Sequence, residues 1–227
     1  TVTLTVNPRP TITPSTPSSQ TICSGSSFSI PLTSTIAGTT FSWTVVQNGV
    51  TGAISGSGTE ISQILSSTSQ ATGTATYTVT PRLNGCDGTS FTVVITVNPL
   101  PIVNTISNIN VCSGSNIGSQ ILSSLPSGAT FEWTNNNTAI GLAASGVGNV
   151  PSFTAVNSTL VPILSTITVT PSLGGCMGEP VSYTITINPK PIIIAATATP
   201  VTSCEVDNGI INITGDGGLP LSYSIDG

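Results

Sequence analysis

Residues 4–10 read LTVNPRP, residues 95–101 read ITVNPLP and residues 185–191 read ITINPKP. Pro8 precedes Pro99 by 91 residues, and Pro99 precedes Pro189 by 90. A period of this length is the size of a small domain, and it constrains the fold more than any local propensity, because each copy must close a core of its own. The text between the heptapeptides repeats as well. ICSGS at 22–26 returns as VCSGS at 111–115, FSW at 41–43 as FEW at 131–133, and SGSG at 55–58 as SGVG at 145–148. TVTP at 78–81 recurs at 168–171, and Gly85-Cys86 recurs as Gly175-Cys176. The offset is 89 at the first cysteine and 90 from the tryptophan onward, the drift expected of homologous copies. The chain therefore divides into the last strand of a preceding copy over 1–10, a full copy over 11–101, a second over 102–191, and the start of something different over 192–227.

Each copy contains two cysteines, Cys23 and Cys86 in the first and Cys112 and Cys176 in the second, 63 and 64 residues apart. The economical expectation is one disulfide per copy, stapling the hairpin loop to the CSG segment. Closing a loop of that size would stabilise a copy by up to roughly 4 kcal/mol in the chain-entropy model. Disulfides persist in oxidising compartments, so the chain is expected to be exported, at the cell surface or outside the cell. A metal site is disfavoured, because no CxxC and no histidine accompany these cysteines. Cys204, the fifth, has no partner within the sequence: either it is a free thiol or its partner lies beyond Gly227, the second being the expectation. The chain starts at Thr1 within a strand pattern and reads as a piece of a longer exported protein.

Strand patterns fill the copies. Phe91, Val93, Ile95 and Val97 alternate with Thr92, Val94, Thr96 and Asn98, and Val181, Tyr183, Ile185 and Ile187 alternate with Ser182, Thr184, Thr186 and Asn188. Period two over this length means a half-buried strand. The preceding strands, ATYTVTP and STITVTP, join these through loops in which Asn84-Gly85 and Gly174-Gly175 supply the positive φ of a tight hairpin. Phe41 and Trp43, like Phe131 and Trp133, stand two residues apart on one strand face and are expected in the core rather than at a sugar-binding surface. Roughly seven short strands per copy predict tandem immunoglobulin-like β-sandwiches in an all-β chain. At each joint a proline removes a ladder donor, and Pro8-Arg9-Pro10, Pro99-Leu100-Pro101 and Pro189-Lys190-Pro191 hold the linker extended. A sandwich about 33 Å long with a linker of about 12 Å, repeated end to end, would build an elongated rod.

Charge is scarce, at 5% of residues, with 3 Lys+Arg against 8 Asp+Glu and no histidine, whereas 38 Thr and 32 Ser keep the strand faces wet. Arg9, Arg82 and Lys190 form no phosphate-neutralising patch, which argues against nucleic acid and against anionic membrane surfaces. The apolar run PIIIAATATPV at 191–201 is too short to span a bilayer. Ser-His-Asp, Cys-His and HExxH sites all require histidine, and no GxSxG, GxxxxGK[ST] or GxGxxG occurs. The acidic residues are scattered, so paired-carboxylate hydrolysis has no evident site. Asp207 and Asp216 match no calcium loop and read as turn residues. No enzymatic activity and no cofactor are expected. The triplets at Asn136, Asn157 and Asn212 are what chance gives in so Asn-, Ser- and Thr-rich a sequence.

With CSG, the F-x-W strand, TVTP, the GC of the loop and the closing TVNPLP, residues 11–191 resemble the PKD-like domains found in tandem in very large surface proteins of Bacteroidota. The W-D-F-G-D-G type motif of other PKD domains is absent. The tail SCEVDNGIINITGDGGLPLSYSIDG resembles the start of the SprB-type repeat of gliding-motility adhesins, with Cys204, the Asp207-Asn208-Gly209 turn, the IINI strand, Gly217-Gly218 with Pro220, and Tyr223 to Gly227; Leu221 stands where that family often has an aromatic. The resemblance implies a second cysteine past Gly227 as the partner of Cys204. It also implies a giant surface filament exported by the type IX secretion system and moved by gliding-motor components, with a surface polysaccharide or the substratum as its contact. The expectation is thus a spacer and contact segment of a surface adhesin, the alternative being the stalk of a secreted enzyme or carbohydrate-binding protein.

Overall fold

A computed structural model describes residues 2, 8–13, 16–200, 202, 209–217 and 222 of the chain. Over the first copy run β1 (Ser19–Cys23), β2 (Ser26–Pro31), β3 (Thr40–Asn48), β4 (Val50–Thr51), β5 (Gly56–Ser57), β6 (Glu60–Ser67), β7 (Gly73–Leu83), β8 (Cys86–Asp87) and β9 (Phe91–Asn98). Over the second run β10 (Ile102–Val103), β11 (Ile109–Cys112), β12 (Asn116–Ile117), β13 (Ser124–Leu125), β14 (Thr130–Asn135), a 3-10 turn (Thr138–Ile140), β15 (Ser145–Val147), β16 (Phe153–Thr154), β17 (Ile163–Leu173), β18 (Cys176–Met177) and β19 (Val181–Asn188). β20 (Ile192–Thr199) and β21 (Ile210–Asp216) follow. Among the described residues the fold is all-β apart from one 3-10 turn.

Contacts gather the chain into two compact units that do not coincide with the sequence copies. The first comprises Thr1–Ile102 with Ser124–Ala129 and Ser172–Glu179; the second comprises Val103–Ser123, Thr130–Pro171 and Pro180–Gly227.

The first unit is a two-layer sandwich. One sheet has the order β1-β9-β7-β3-β5, with β8 on β7, and the other has the order β2-β6-β4. The period-two pattern turns one face of β9 inward, so that Val93, Ile95 and Val97 are fully buried beside Ala75, Tyr77 and Val79 of β7. Phe28 and Ile30 of β2 and Ile61 and Leu65 of β6 complete the core from the opposite layer. The Phe28 and Tyr77 rings tilt at 55° with centroids 5.8 Å apart, a favourable aromatic geometry. Phe41 and Trp43 of β3 lie in the same core, 5% and 8% exposed. The Tyr77 hydroxyl donates to Gln63 Oε1 at 2.6 Å, and the Trp43 indole donates to the Ile54 carbonyl at 3.1 Å, so the polar end of each ring is satisfied.

Two features direct the chain ends of this sandwich. β1 pairs with β9 in parallel, from Ser19 opposite Val94 to Cys23 opposite Asn98. β7 and β8 join through Asn84 (φ 48°) and Gly85 (φ 86°), the two positive φ values of a tight hairpin, with Leu83 opposite Cys86.

In the second unit the larger sheet has the order β11-β19-β17-β14-β15, and β11 lies parallel to β19 from Ile109 opposite Ile185 to Cys112 opposite Asn188. The opposing layer is thinner, with β12 on β16 as its regular pair. The FEWTNNN sequence explains part of the difference, because Asn135 closes β14 with a buried amide that donates to the Leu142 and Ala143 carbonyls at 3.0 and 3.2 Å. Its oxygen accepts from the Asn137 N–H at 3.0 Å and from the Ser165 hydroxyl. Asn137 then caps the 3-10 turn through Ala139 N. Phe131 and Trp133 are 8% and 3% exposed, and Tyr183, Ile185 and Ile187 are buried. The buried Tyr183 hydroxyl and Trp133 indole N–H have no hydrogen-bond partner among the described residues. β20 and β21 pair antiparallel as a two-stranded sheet, with Ile192, Ile193, Ile194, Ile210 and Ile211 exposed and Ile213 half-buried.

The two buried tyrosines should behave differently on substitution. Tyr77→Phe should cost about 1 kcal/mol in denaturant unfolding, because it removes a made hydrogen bond, whereas Tyr183→Phe should be neutral or slightly stabilising. Burial pushes both phenols up to about 12 from an ordinary value near 10. Their neutral forms are favoured in the folded state, so their contribution is complete below pH 10 and is lost as the pH rises toward 12. Thermal unfolding followed from pH 8 to 12 should show Tm constant to about pH 10 and falling above it.

Candidate functional site

Sequence chemistry points to the cysteines and the proline joints, and the first compact unit brings both together. Cys23 is bonded to Cys176, with Cα atoms 5.5 Å apart and a sequence separation of 153. Among the described residues Cys86 and Cys112 are free thiols, the former half-buried and the latter exposed. This corrects the expectation of one bridge per copy, Cys23 with Cys86 and Cys112 with Cys176. Strand register supplies the reason. Cys23 faces Asn98 where β9 ends, and Gly73, the first residue of β7, faces Val97 at that same end. Cys86 faces Leu83, the last residue of β7. Ten residue steps separate Gly73 from Leu83, about 33 Å of strand, whereas a disulfide needs Cα atoms within about 7 Å. Cys112 opposite Asn188 and Cys176 opposite Leu173 repeat the arrangement. Cys204 lies outside the described residues.

Around the bridge, the Cys23 end of the first copy meets the Ser172–Glu179 and Ser124–Ala129 segments within the unit. The Ser24 N–H donates to the Asn98 carbonyl at 2.8 Å, and Thr72 Oγ1 donates to Asn98 Oδ1 at 3.2 Å, which fixes the strand end before Pro99. With its nitrogen toward them, the Gln70 amide donates to the carbonyls of Leu100 and Leu125 at 3.1 and 3.0 Å. Gln70, Thr72, Asn98, Pro99, Pro126 and Gly174 line a shallow cavity of about 300 Å³ there. Pro99 and Pro101 are buried, as is Pro189, while Pro191 is exposed. Cys176 is 2% exposed. The roles of Gln70 and Thr72 carried no sequence signal, since both sit in the Ser- and Thr-rich segment after β6.

At the opposite end of the first copy, the hairpin loop bearing Cys86 packs on the upstream linker. Pro10 is buried while Pro8 is exposed. The Arg9 Nε donates to the Asp87 carbonyl at 3.2 Å. Gly88 follows directly, and a Cβ built on it would stand 1.8 Å from the Pro10 carbonyl oxygen, so only glycine lets linker and loop approach this closely. The Arg82–Asp87 ion pair, at 3.5 Å between exposed side chains, adds little.

Among the described residues no three histidine, cysteine, aspartate or glutamate side chains gather into a metal site. Asp216 accepts from its neighbour Gly217 N–H at 2.7 Å, and Asp207 lies outside the described residues. The Asn157 amide nitrogen is committed to the Val161 and Ile187 carbonyls, both at 2.8 Å, so this N-x-[ST] triplet is structural. No helix among the described residues is long and apolar enough to cross a membrane.

The profile of the PKD-like domain family matches residues 20–101 and 109–191. No curated protein matches the chain in sequence. Among solved structures, DIP-gamma Ig1+Ig2 aligns at 8% identity and a TM-score of 0.42, over 80% of this chain and 98% of that one. Mouse cadherin-23 EC22–24 aligns at 11% identity and 0.39, over 82% and 68%. The eight N-terminal Ig domains of Down syndrome cell adhesion molecule align at 13% and 0.36, over 93% of this chain and 32% of that one.

Non-reducing proteolysis with mass spectrometry should recover a peptide pair joining Cys23 to Cys176, and alkylation without reduction should label Cys86 and Cys112. A Cys23–Cys86 pair would contradict the register. Gly88→Ala should lower stability by about 1–3 kcal/mol through the forced displacement of Pro10, read as a lower unfolding midpoint.

Proposed function

The chain belongs to the PKD-like domain family, and from that premise we propose that it is a non-enzymatic spacer and contact segment of a very long cell-surface adhesin. The observation that carries the reading is the Cys23–Cys176 bond, which ties one family member to the next in sequence and so suits a chain that must transmit tension rather than catalyse. Such a bond lasts in an oxidising compartment, which supports placement at the cell surface or outside the cell. The SprB-like tail supports the finer reading that the parent protein serves surface attachment and gliding motility in a bacterium of the Bacteroidota. In that setting the type IX secretion machinery exports it, gliding-motor components move it, and a surface polysaccharide or the substratum is what it grips.

Deletion of the gene for the parent protein should abolish surface attachment and spreading, measured as cells retained on glass under flow and as colony-edge advance. Unchanged retention and spreading would overturn the reading. Specific binding of the 227-residue chain on a glycan array would instead favour a carbohydrate-binding role for these units themselves.

A further inference from the structure

The Cys23–Cys176 bond joins two local structures, and each of them occurs a second time in the chain without its partner. The first is the corner after the parallel edge strand. At Cys23 the next residue's N–H donates to Asn98 O at 2.8 Å, the Gly25 N–H donates to Leu65 O at 2.8 Å, and Ser24 Oγ accepts from Ser67 N at 2.9 Å. At Cys112 the same three bonds recur: Ser113 N to Asn188 O at 2.9 Å, Gly114 N to Ala155 O at 2.8 Å, and Asn157 N to Ser113 Oγ at 3.0 Å. The second is the hairpin. Leu173 opposite Cys176, with Gly174 and Gly175 at φ 58° and 82°, matches Leu83 opposite Cys86, with Asn84 and Gly85 at 48° and 86°.

The surroundings match too. The bonded pair straddles the Pro99-Leu100-Pro101 linker in sequence. Cys86 sits in a loop packed on Pro8-Arg9-Pro10, and Cys112 belongs to the copy that runs out into Pro189-Lys190-Pro191. Burial differs: in the bonded pair Cys176 is buried and Cys23 half-buried, whereas Cys86 is half-buried and Cys112 exposed.

We propose that Cys86 and Cys112 are the two complementary halves of this same bond, each made to take the opposite cysteine of another repeat of this type. A corner cysteine takes a hairpin cysteine, never its own kind, so the linkage is head-to-tail and extends along a series of repeats without closing. The chemistry is ordinary exchange. The Cys112 thiolate attacks glutathione disulfide, giving a mixed disulfide and one glutathione. The Cys86-type thiolate then attacks the Cys112 sulfur and expels the second glutathione, so two protons and two electrons leave the protein and the oxidant is reduced. The intervening linker raises the effective concentration of the two thiols. This inference goes beyond the adhesin reading and does not depend on what the parent protein grips.

The test is a chain in which residues 1–191 are followed directly by residues 11–227, so that Pro191 leads into a second Thr11 as Pro10 does into the first. After refolding with glutathione disulfide, peptide mapping should find Cys112 of the leading 1–191 segment bonded to Cys86 of the trailing 11–227 segment. Both should lose the alkylation that they accept in the 227-residue chain, and Cys23–Cys176 should form within each of the two segments. Alkylation retained at both positions, or either cysteine bonded elsewhere, overturns the proposal. Should that longer chain not fold, C86S and C112S variants of the 227-residue chain are mixed and oxidised. A Cys112–Cys86 heterodimer several-fold in excess of either homodimer is expected, and no excess overturns the proposal.

Discussion

The parallel pairing of β1 with β9 is the constraint on which the arrangement of this chain depends. An antiparallel first strand would end its run beside the start of β9, close to the β7–β8 hairpin, and a bridge within one copy would be possible. Because β1 runs in the same direction as β9, Cys23 stops beside Asn98, where the chain leaves the copy through its proline linker. The hairpin that bears the other cysteine is then a full strand length away. Everything of interest at the joint follows from that placement: the CSG corner, the Asn98 cap and the Gln70 amide all collect where one copy ends.

Burial and hydrogen bonding divide the remaining work. In the first unit two layers close on each other, and the polar tips of Tyr77 and Trp43 find partners in Gln63 and the Ile54 carbonyl. In the second, an amide network centred on Asn135 occupies ground held by strand pairing in the first, and two buried polar groups stay unpaired. Homologous copies with the same strand register thus satisfy their interiors by different means. The shared register, set by period-two patterning and the hairpin turn, is what keeps their joints alike.

Much of this was legible from residues alone. The alternation of Val93, Ile95 and Val97 announced the inward face of β9, the Asn84-Gly85 pair announced its turn, and the repeat announced two similar sandwiches. The parallel partner of β9 was not legible, because β1 lies some seventy residues upstream and its SQTIC segment is compatible with either direction. The cysteine pairing failed for a related reason. Two pairs at near-equal spacing are consistent with bridges inside copies and with bridges between successive copies, and spacing alone does not choose. Gln70 and Gly88 were hidden differently, since a glutamine in a polar run and a glycine in a loop show nothing until the chain that passes over them is in place.

The bond at Cys23 has one more consequence, concerning breakage. Exposed loop tips are where proteases cut a folded chain first. A single cut at any point between Cys23 and Cys176 severs the backbone but leaves both fragments held by sulfur. Such a chain tolerates a nick as a rope tolerates a frayed strand, and it parts only when a reductant reaches the joint as well.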